Sequence, residues 1–178
     1  MFKRIVVGLD GSEHARKALD IAIDLAKTHR AGLVIVHALS DAPLTNAERV
    51  LAETEYSVKD LGERPPVTLI KYADEDPRLP FTITREFSSD SALRARTEIA
   101  QALLQDARQD ALGQGMESVE VRVGTGDPAK IILDLAKSEK ADLIVIGSRG
   151  LSDLQGLVFG STSHKVTHLA PCSCLTVS

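Results

Sequence analysis

The chain has 178 residues, 43% of them hydrophobic, enough for one well-buried core and too few for two ordinary domains. A formal net charge of −4, no tryptophan and 3% aromatics leave neither a basic footprint nor a stacking platform for nucleic acid. The longest apolar runs, LVIVHAL and DLIVIG, fall well short of the roughly 20 residues of a membrane-spanning helix. The N-terminus enters a strand-like run at once, unlike a signal peptide, so the expected compartment is the cytoplasm, with no membrane partner.

In chain order, RIVVGLD (Arg4 to Asp10) is a short apolar run closed by a Gly- and Ser-containing turn, as suits a strand buried on both faces. Ser12 is placed to cap a helix in which Ala15, Leu19, Ala22 and Ala26 recur at helical spacing, with Gly32 as its stop signal. Leu33 to Leu39 is the next strand, and strand, helix, strand with short joints is the signature of a right-handed parallel crossover. From Ser40 to about Asp90 the pattern breaks, and Pro43, Pro65, Pro66, Pro77 and Pro80 all fall here. A structureless loop of that length does not suit a compact domain. Asn46 to Tyr56 reads as a short helix, VTLIKY and FTITREF alternate well enough to pair as a hairpin, and both an ordered appendage and a partly disordered flap remain open.

The second half repeats the crossover. A helix from about Ser91 to Leu112 carries Ile99, Ala102, Leu103 and Ala107 as its stripe, and SVEVRVG (Ser118 to Gly124) follows as a strand. Asp127 then serves as N-cap and Pro128 as first residue of a helix with Ile131, Ile132, Leu135 and Ala136 on one face. LIVIG is a strand, Ser161 to Ala170 a helix stopped by Pro171, and SCLTV the last strand. Cys172 and Cys174, spaced C-x-C, are too close for the usual metal pair and read as small hydrophobes on one face of that strand. The fold class is α/β: a single-domain open parallel sheet of five strands alternating with four helices.

In such a sheet, ligands bind beyond the carboxyl ends of the strands. Two loops there have suitable chemistry. One is Asp10-Gly11-Ser12; the other is GSRGLSDLQGLVFGS, Gly147 to Ser161. Gly147 and Gly150 leave the backbone without a Cβ, so that a ribose or phosphate can approach it, and Gly160 does the same where a helix begins. Gly160-Ser161-Thr162-Ser163 presents unpaired N–H groups, a positive dipole end and three hydroxyls, for which phosphate is the natural occupant. Glycine spacing alone equally suits a loop that only turns a corner, with Ser161 as a plain cap. Neither G-x-x-x-x-G-K-[ST] nor G-x-G-x-x-G after the first strand occurs. His164 and His168 lack a third ligand at recognisable spacing and read as a solvated helix face. His37 reads as a packed residue that hydrogen-bonds locally, and Asp74-Glu75-Asp76 as a solvated loop.

Gly147-x2-Gly150-x9-Gly160-Ser161 resembles the G-x2-G-x9-G-[ST] pattern of ATP-binding universal stress proteins. RIVVGLDGSEHARKAL, VRVGTGDPAKIILDLAKSEKADLIVIGSRG and HLAPCSCLTV look like the same family, so the resemblance covers roughly residues 1 to 39 and 91 to 178. It implies one domain over residues 1–178 with an atypical insert at about 40–90. The implied sheet order is 3-2-1-4-5, an adenine nucleotide α-hydrolase-like, Rossmann-like arrangement that brings the two loops together. It further implies Asp10 near the adenosine or the phosphates and any bound metal such as Mg²⁺, the backbone at Gly8 and Leu9 bordering the sugar, and the Ala38 backbone reading the adenine edge. Ile146 and Gly147 would line the ribose, Gly150 would meet the phosphates, and Gly160, Ser161 and Thr162 would hold them through N–H and hydroxyl groups. Arg149 suits a phosphate contact by charge and equally suits a side chain pointing into solvent. A homodimer through the last strand, Ser173 to Val177, is implied as well; that strand would otherwise be an exposed apolar edge.

The resulting expectation is an ATP-binding stress-response or regulatory protein, with ATP and AMP not distinguished. Fast hydrolysis needs a water-positioning group and neutralising cations, but the sequence offers no base beyond Asp10 and no lysine in the glycine loop. Slow hydrolysis, or autophosphorylation at Ser161 or Ser163, is the most that remains. An adenylating or pyrophosphate-releasing enzyme would bring S-G-G-x-D-S or H-x-G-H near the first strand, and GLDGSEHA has neither. A non-nucleotide dimeric scaffold would need no glycine pattern.

Overall fold

Three unbroken apolar runs become the middle of a parallel sheet: β1 (Arg4–Gly8), β2 (Gly32–Leu39) and β5 (Leu143–Gly147). All five residues of β5 are buried, since helices cover both faces and no position alternates out to water. The computed structural model describes residues 1–39, 68–70, 91–151 and 160–178. With β3 (Thr68–Ile70), β4 (Val119–Thr125) and β6 (Ser173–Val177), the sheet order is β3-β4-β2-β1-β5-β6, every pairing parallel. The five expected strands stand in the expected order 3-2-1-4-5.

The short β3 is an addition. It lies within VTLIKY and pairs with β4, Thr68 opposite Arg122 and Ile70 opposite Gly124. FTITREF, its expected hairpin partner, lies outside the described residues, as do Asn46 to Tyr56 and Asp74 to Asp76.

Alternate residues of each strand enter opposite halves of the core. Ile5, Val7, Leu33 and Ile35 pack with α1 (Glu13–His29) and α2 (Ser91–Gly113). Val6, Val34, Val36 and Ile144 pack with α3 (Pro128–Ser138) and α4 (Ser161–Leu169). Each such buried branched side chain contributes about 1.5–3 kcal/mol, so apolar burial holds the helices against both faces of the sheet. α1 meets the sheet through Ala15, Ala18, Ala22 and Ala26, small enough to seat the helix close.

Both crossover helices start as read and stop differently. The Ser12 hydroxyl accepts from the Ala15 N–H at 3.2 Å, and Asp127 accepts from the N–H groups of Ala129 and Lys130. α1 ends not at Gly32 but at Arg30, in the left-handed region at φ 53°, with the Ala31 N–H bonded to the Ala26 carbonyl. Lys140 at φ 52° and the Ala141 N–H to Ala136 carbonyl bond end α3 the same way.

Gly32 instead serves the amino end of the sheet. A Cβ there would lie 2.7 Å from Arg4 Nη1, so its bare Cα lets the Arg4 side chain cross β2. Arg4 reaches Glu120 on β4 at 2.6 Å and Glu139 after α3 at 3.0 Å, and Arg122 contacts both carboxylates. Partial burial alone would raise the Glu120 pKa, but the hydrogen bonds from Arg4 and Arg122 outweigh it and hold the carboxyl below its ordinary range. Asp142 accepts from the N–H groups of Lys3 and Arg4 and is held low by them.

Candidate functional site

At the carboxyl ends of β1 and β5 the Asp10 and glycine loops touch. Gly11, at φ 88°, makes the turn after Asp10. Asp10 Oδ1 accepts from the Ser12 N–H at 2.9 Å, and its Oδ2 lies so near Gly150 that a Cβ there would come within 2.5 Å of it. The Ser12 hydroxyl donates to the Arg149 carbonyl at 3.3 Å. Ser12 thereby joins the start of α1 to the glycine loop.

The three glycines of the pattern do different work. A Cβ on Gly147 would lie 2.9 Å from the Ala15 nitrogen and from the His14 carbonyl carbon, so the backbone of α1 fills that side. The space beside Gly150 belongs to the Asp10 carboxylate. These two were expected to keep the backbone clear for a ribose or phosphate; instead they let parts of the protein close on each other. Around Gly160 the nearest atoms to an added Cβ are the Ser148 oxygen at 3.5 Å and the Arg149 Cα at 3.7 Å, ordinary contacts. No described residue requires a glycine there.

Ser148, buried to 2% exposure, fastens the loop to α4. Its carbonyl accepts from the Gly160 N–H at 2.7 Å and the Ser163 hydroxyl at 2.8 Å, while its N–H donates to the Val177 carbonyl at 2.6 Å. Two expectations change as a result. The Gly160 N–H is committed and cannot hold a phosphate, and the buried Ser163 hydroxyl faces inward, leaving two hydroxyls instead of three. Gly160, not Ser161, is the N-cap residue, and it has no side chain to cap with. The N–H groups of Ser161, Thr162 and Ser163 therefore have no acceptor among the described residues. Beside them stand the hydroxyls of exposed Ser161 and half-buried Thr162. The sequence reading missed Ser148 and the inward turn of Ser163; its available signal was a serine following the wholly apolar β5.

The remaining candidates line the same end. Leu9 is buried with both backbone groups engaged, its N–H to the Val36 carbonyl at 2.9 Å and its carbonyl to His37 Nδ1 at 2.7 Å, which leaves it apolar contact to offer. His37 does bond locally, as read. Ala38 is half-buried near the end of β2; Ile146 is buried in β5, opposite Gly8 and Thr176. Arg149 is half-buried, next to the Ser148 staple. Lys165 on α4 bonds Asp127 at 2.8 Å, the main reason that carboxyl lies below its usual range.

Elsewhere, the His164 and His168 rings meet edge-on at 4.7 Å, and no group of three metal-capable side chains occurs among the described residues. Cys172 and Cys174 are free and half-buried against the α3–α4 half of the core, and burial pushes both thiols up, away from reactivity. No described helix is long and apolar enough to cross a membrane.

The sequence model of the Universal stress protein family matches residues 1–178. Over 177 residues the chain is 32% identical to universal stress protein YxiE of Bacillus subtilis and 35% identical to a universal stress protein of Thermus aquaticus, covering 99% of this chain and 99% of the relative in each case. Among solved structures, a universal stress protein in complex with cAMP superimposes with a TM-score of 0.61 at 25% identity, covering 99% of this chain and 97% of that one.

Proposed function

Given that the chain belongs to the universal stress protein family, we propose that it is a regulatory adenine-nucleotide-binding protein holding ATP, or AMP in its place, between the Asp10 loop and the Gly147–Ser161 loop. One observation carries this reading: three N–H groups at the start of α4 are left without acceptors among the described residues, beside Gly160, whose bare Cα no described atom crowds. The cAMP named for one related structure supports an adenine nucleotide as the ligand class. In this reading the phosphates meet the N–H and hydroxyl groups of Ser161 and Thr162, pass over the bare Cα of Gly160, and are neutralised by Arg149. Ile146, Gly147 and Leu9 border the ribose, Gly150 seats Asp10 beneath the phosphates, and the Ala38 backbone reads the base. One carboxylate, Asp10, together with phosphate oxygens and water is a donor set that Mg²⁺ accepts.

The site suits binding better than turnover. Asp10 is already bonded to the Ser12 N–H, and among the described residues no lysine stands in the glycine loop to offset the charge of phosphoryl transfer. Slow hydrolysis is its upper limit. For autophosphorylation, Ser161 is the accessible acceptor, Ser163 being buried and turned inward. The protein is a cytoplasmic homodimer in this reading: β6 is an edge strand of the described sheet with Leu175 36% exposed, an apolar margin that a second copy would cover.

Calorimetry with ATP tests the site. Gly150→Val drives a side chain into the Asp10 carboxylate and is expected to weaken binding at least about tenfold while the variant remains folded. Equal affinity in the two proteins refutes the assignment.

A further inference from the structure

We propose that His37 is a positioning residue that keeps the β1–β2 ladder from closing one rung further, so that the Ala38 backbone is left to read the base; the binding half of this rests on the nucleotide reading above. In a parallel ladder, residues two apart on one strand turn their N–H and C=O groups to the same neighbour. Val36 of β2 faces β1 and accepts from the Leu9 N–H at 2.9 Å. The next rung would be the Ala38 N–H to the Leu9 carbonyl. It is absent, and that carbonyl accepts from His37 Nδ1 at 2.7 Å. A carbonyl only accepts, so Nδ1 carries the proton.

β2 itself has not ended at this point. On its other side it continues beside β4, Ala38 opposite Gly124 and Leu39 opposite Thr125, and the Leu39 carbonyl accepts from the Gly126 N–H at 3.0 Å. Only the β1 side opens, where His37 has taken the acceptor. Ala38 then offers one donor and one acceptor side by side, with no backbone partner on that side among the described residues. That pair matches the edge of adenine, where N1 accepts and the 6-amino group donates. Guanine reverses both groups. The diverted rung therefore supplies base selectivity as well as a place for the base.

The test uses the whole protein with three variants. His37→Phe keeps a ring and removes the donor, His37→Leu is the second donor-free variant should the first not fold, and His37→Asn keeps an N–H near the Nδ1 position. In nucleotide-free protein, amide exchange followed by NMR is expected to find Ala38 unprotected in the wild type and in His37→Asn, and at least about tenfold more protected in the donor-free variants as the rung closes. By calorimetry, the donor-free variants are expected to lose about tenfold in ATP affinity with little change for GTP, so that the ATP/GTP ratio falls, while His37→Asn retains the ratio. Unchanged Ala38 exchange in the donor-free variants overturns the ladder role, and an unchanged ATP/GTP ratio overturns the base-reading role. A wild type that binds neither nucleotide refutes the nucleotide reading and the base-reading role with it, while the exchange result still decides the ladder role.

Discussion

The two ends of the sheet treat their polar groups in opposite ways. At the amino end, Arg4, Arg122, Glu120 and Glu139 bond one another, and Asp142 takes up two N–H groups. At the carboxyl end, three N–H groups of α4 and the β1-facing side of Ala38 are left without backbone partners among the described residues. Unmade hydrogen bonds cost stability unless water or a ligand completes them, so the closed end consolidates the fold and the open end has capacity for a ligand. The glycines cut across that division: Gly32 at the amino end and Gly147 at the carboxyl end are bare so that protein can fill the space, whereas no described atom would come nearer than 3.5 Å to a Cβ on Gly160.

The strongest attack on this contrast is Gly147→Ala. Its Cβ would press on α1 backbone, which no rotamer change can relieve, so the variant should lose about 2–3 kcal/mol in denaturant unfolding. A loss near zero would mean that α1 is not seated by that glycine.

A smaller effect should appear at the other end with Glu120→Gln. The native carboxyl titrates below the ordinary value of 4.5, so its contribution is fully present above that pH and drains away as pH falls through the lower native value. The side chain is 38% exposed, so after discounting for solvent the expected deficit at pH 7 is about 0.5–1 kcal/mol. It should vanish as pH falls below that native value and leave ATP affinity unchanged; a deficit that persists in acid would show that packing, not charge, is at stake.

Gly160→Ala should be the mildest in stability, within about 0.5 kcal/mol of the wild type, because no described atom lies under 3.5 Å from the new methyl. Its effect should fall on nucleotide affinity, several-fold weaker. Stability loss comparable to that of Gly147→Ala would erase the distinction between filled and unclaimed glycines.

What the sequence made legible was local. Apolar runs marked β1, β2 and β5, and Asp127 before Pro128 marked the start of α3, because strand burial and helix capping are written in neighbouring residues. The glycine pattern located the loop beside Asp10 but did not reveal which protein atoms lie against Gly147 and Gly150. That Gly147 faces α1 and Gly150 faces Asp10 depends on segments more than 130 residues apart in the chain, and no spacing rule reports such contacts. The same holds for Gly32, whose stop-signal position was plain and whose service to Arg4 was not. Ser163 looked like one more hydroxyl at a helix start until Ser148 supplied its acceptor.

The placement of β1 between β2 and β5 also bears on how the protein is made. Its first partner lies one helix away, and its second arrives only with Leu143, so an emerging chain can form the β1–α1–β2 unit long before the sheet has its other half. The staple at Ser148 needs Gly160, Ser163 and finally Val177. Synthesis thus supplies the Leu9 and Ala38 side of the cleft early and the α4 side late. A nascent chain that stalls before residue 177 lacks a fastened glycine loop, so that loop is among the last parts of the molecule to be secured during synthesis.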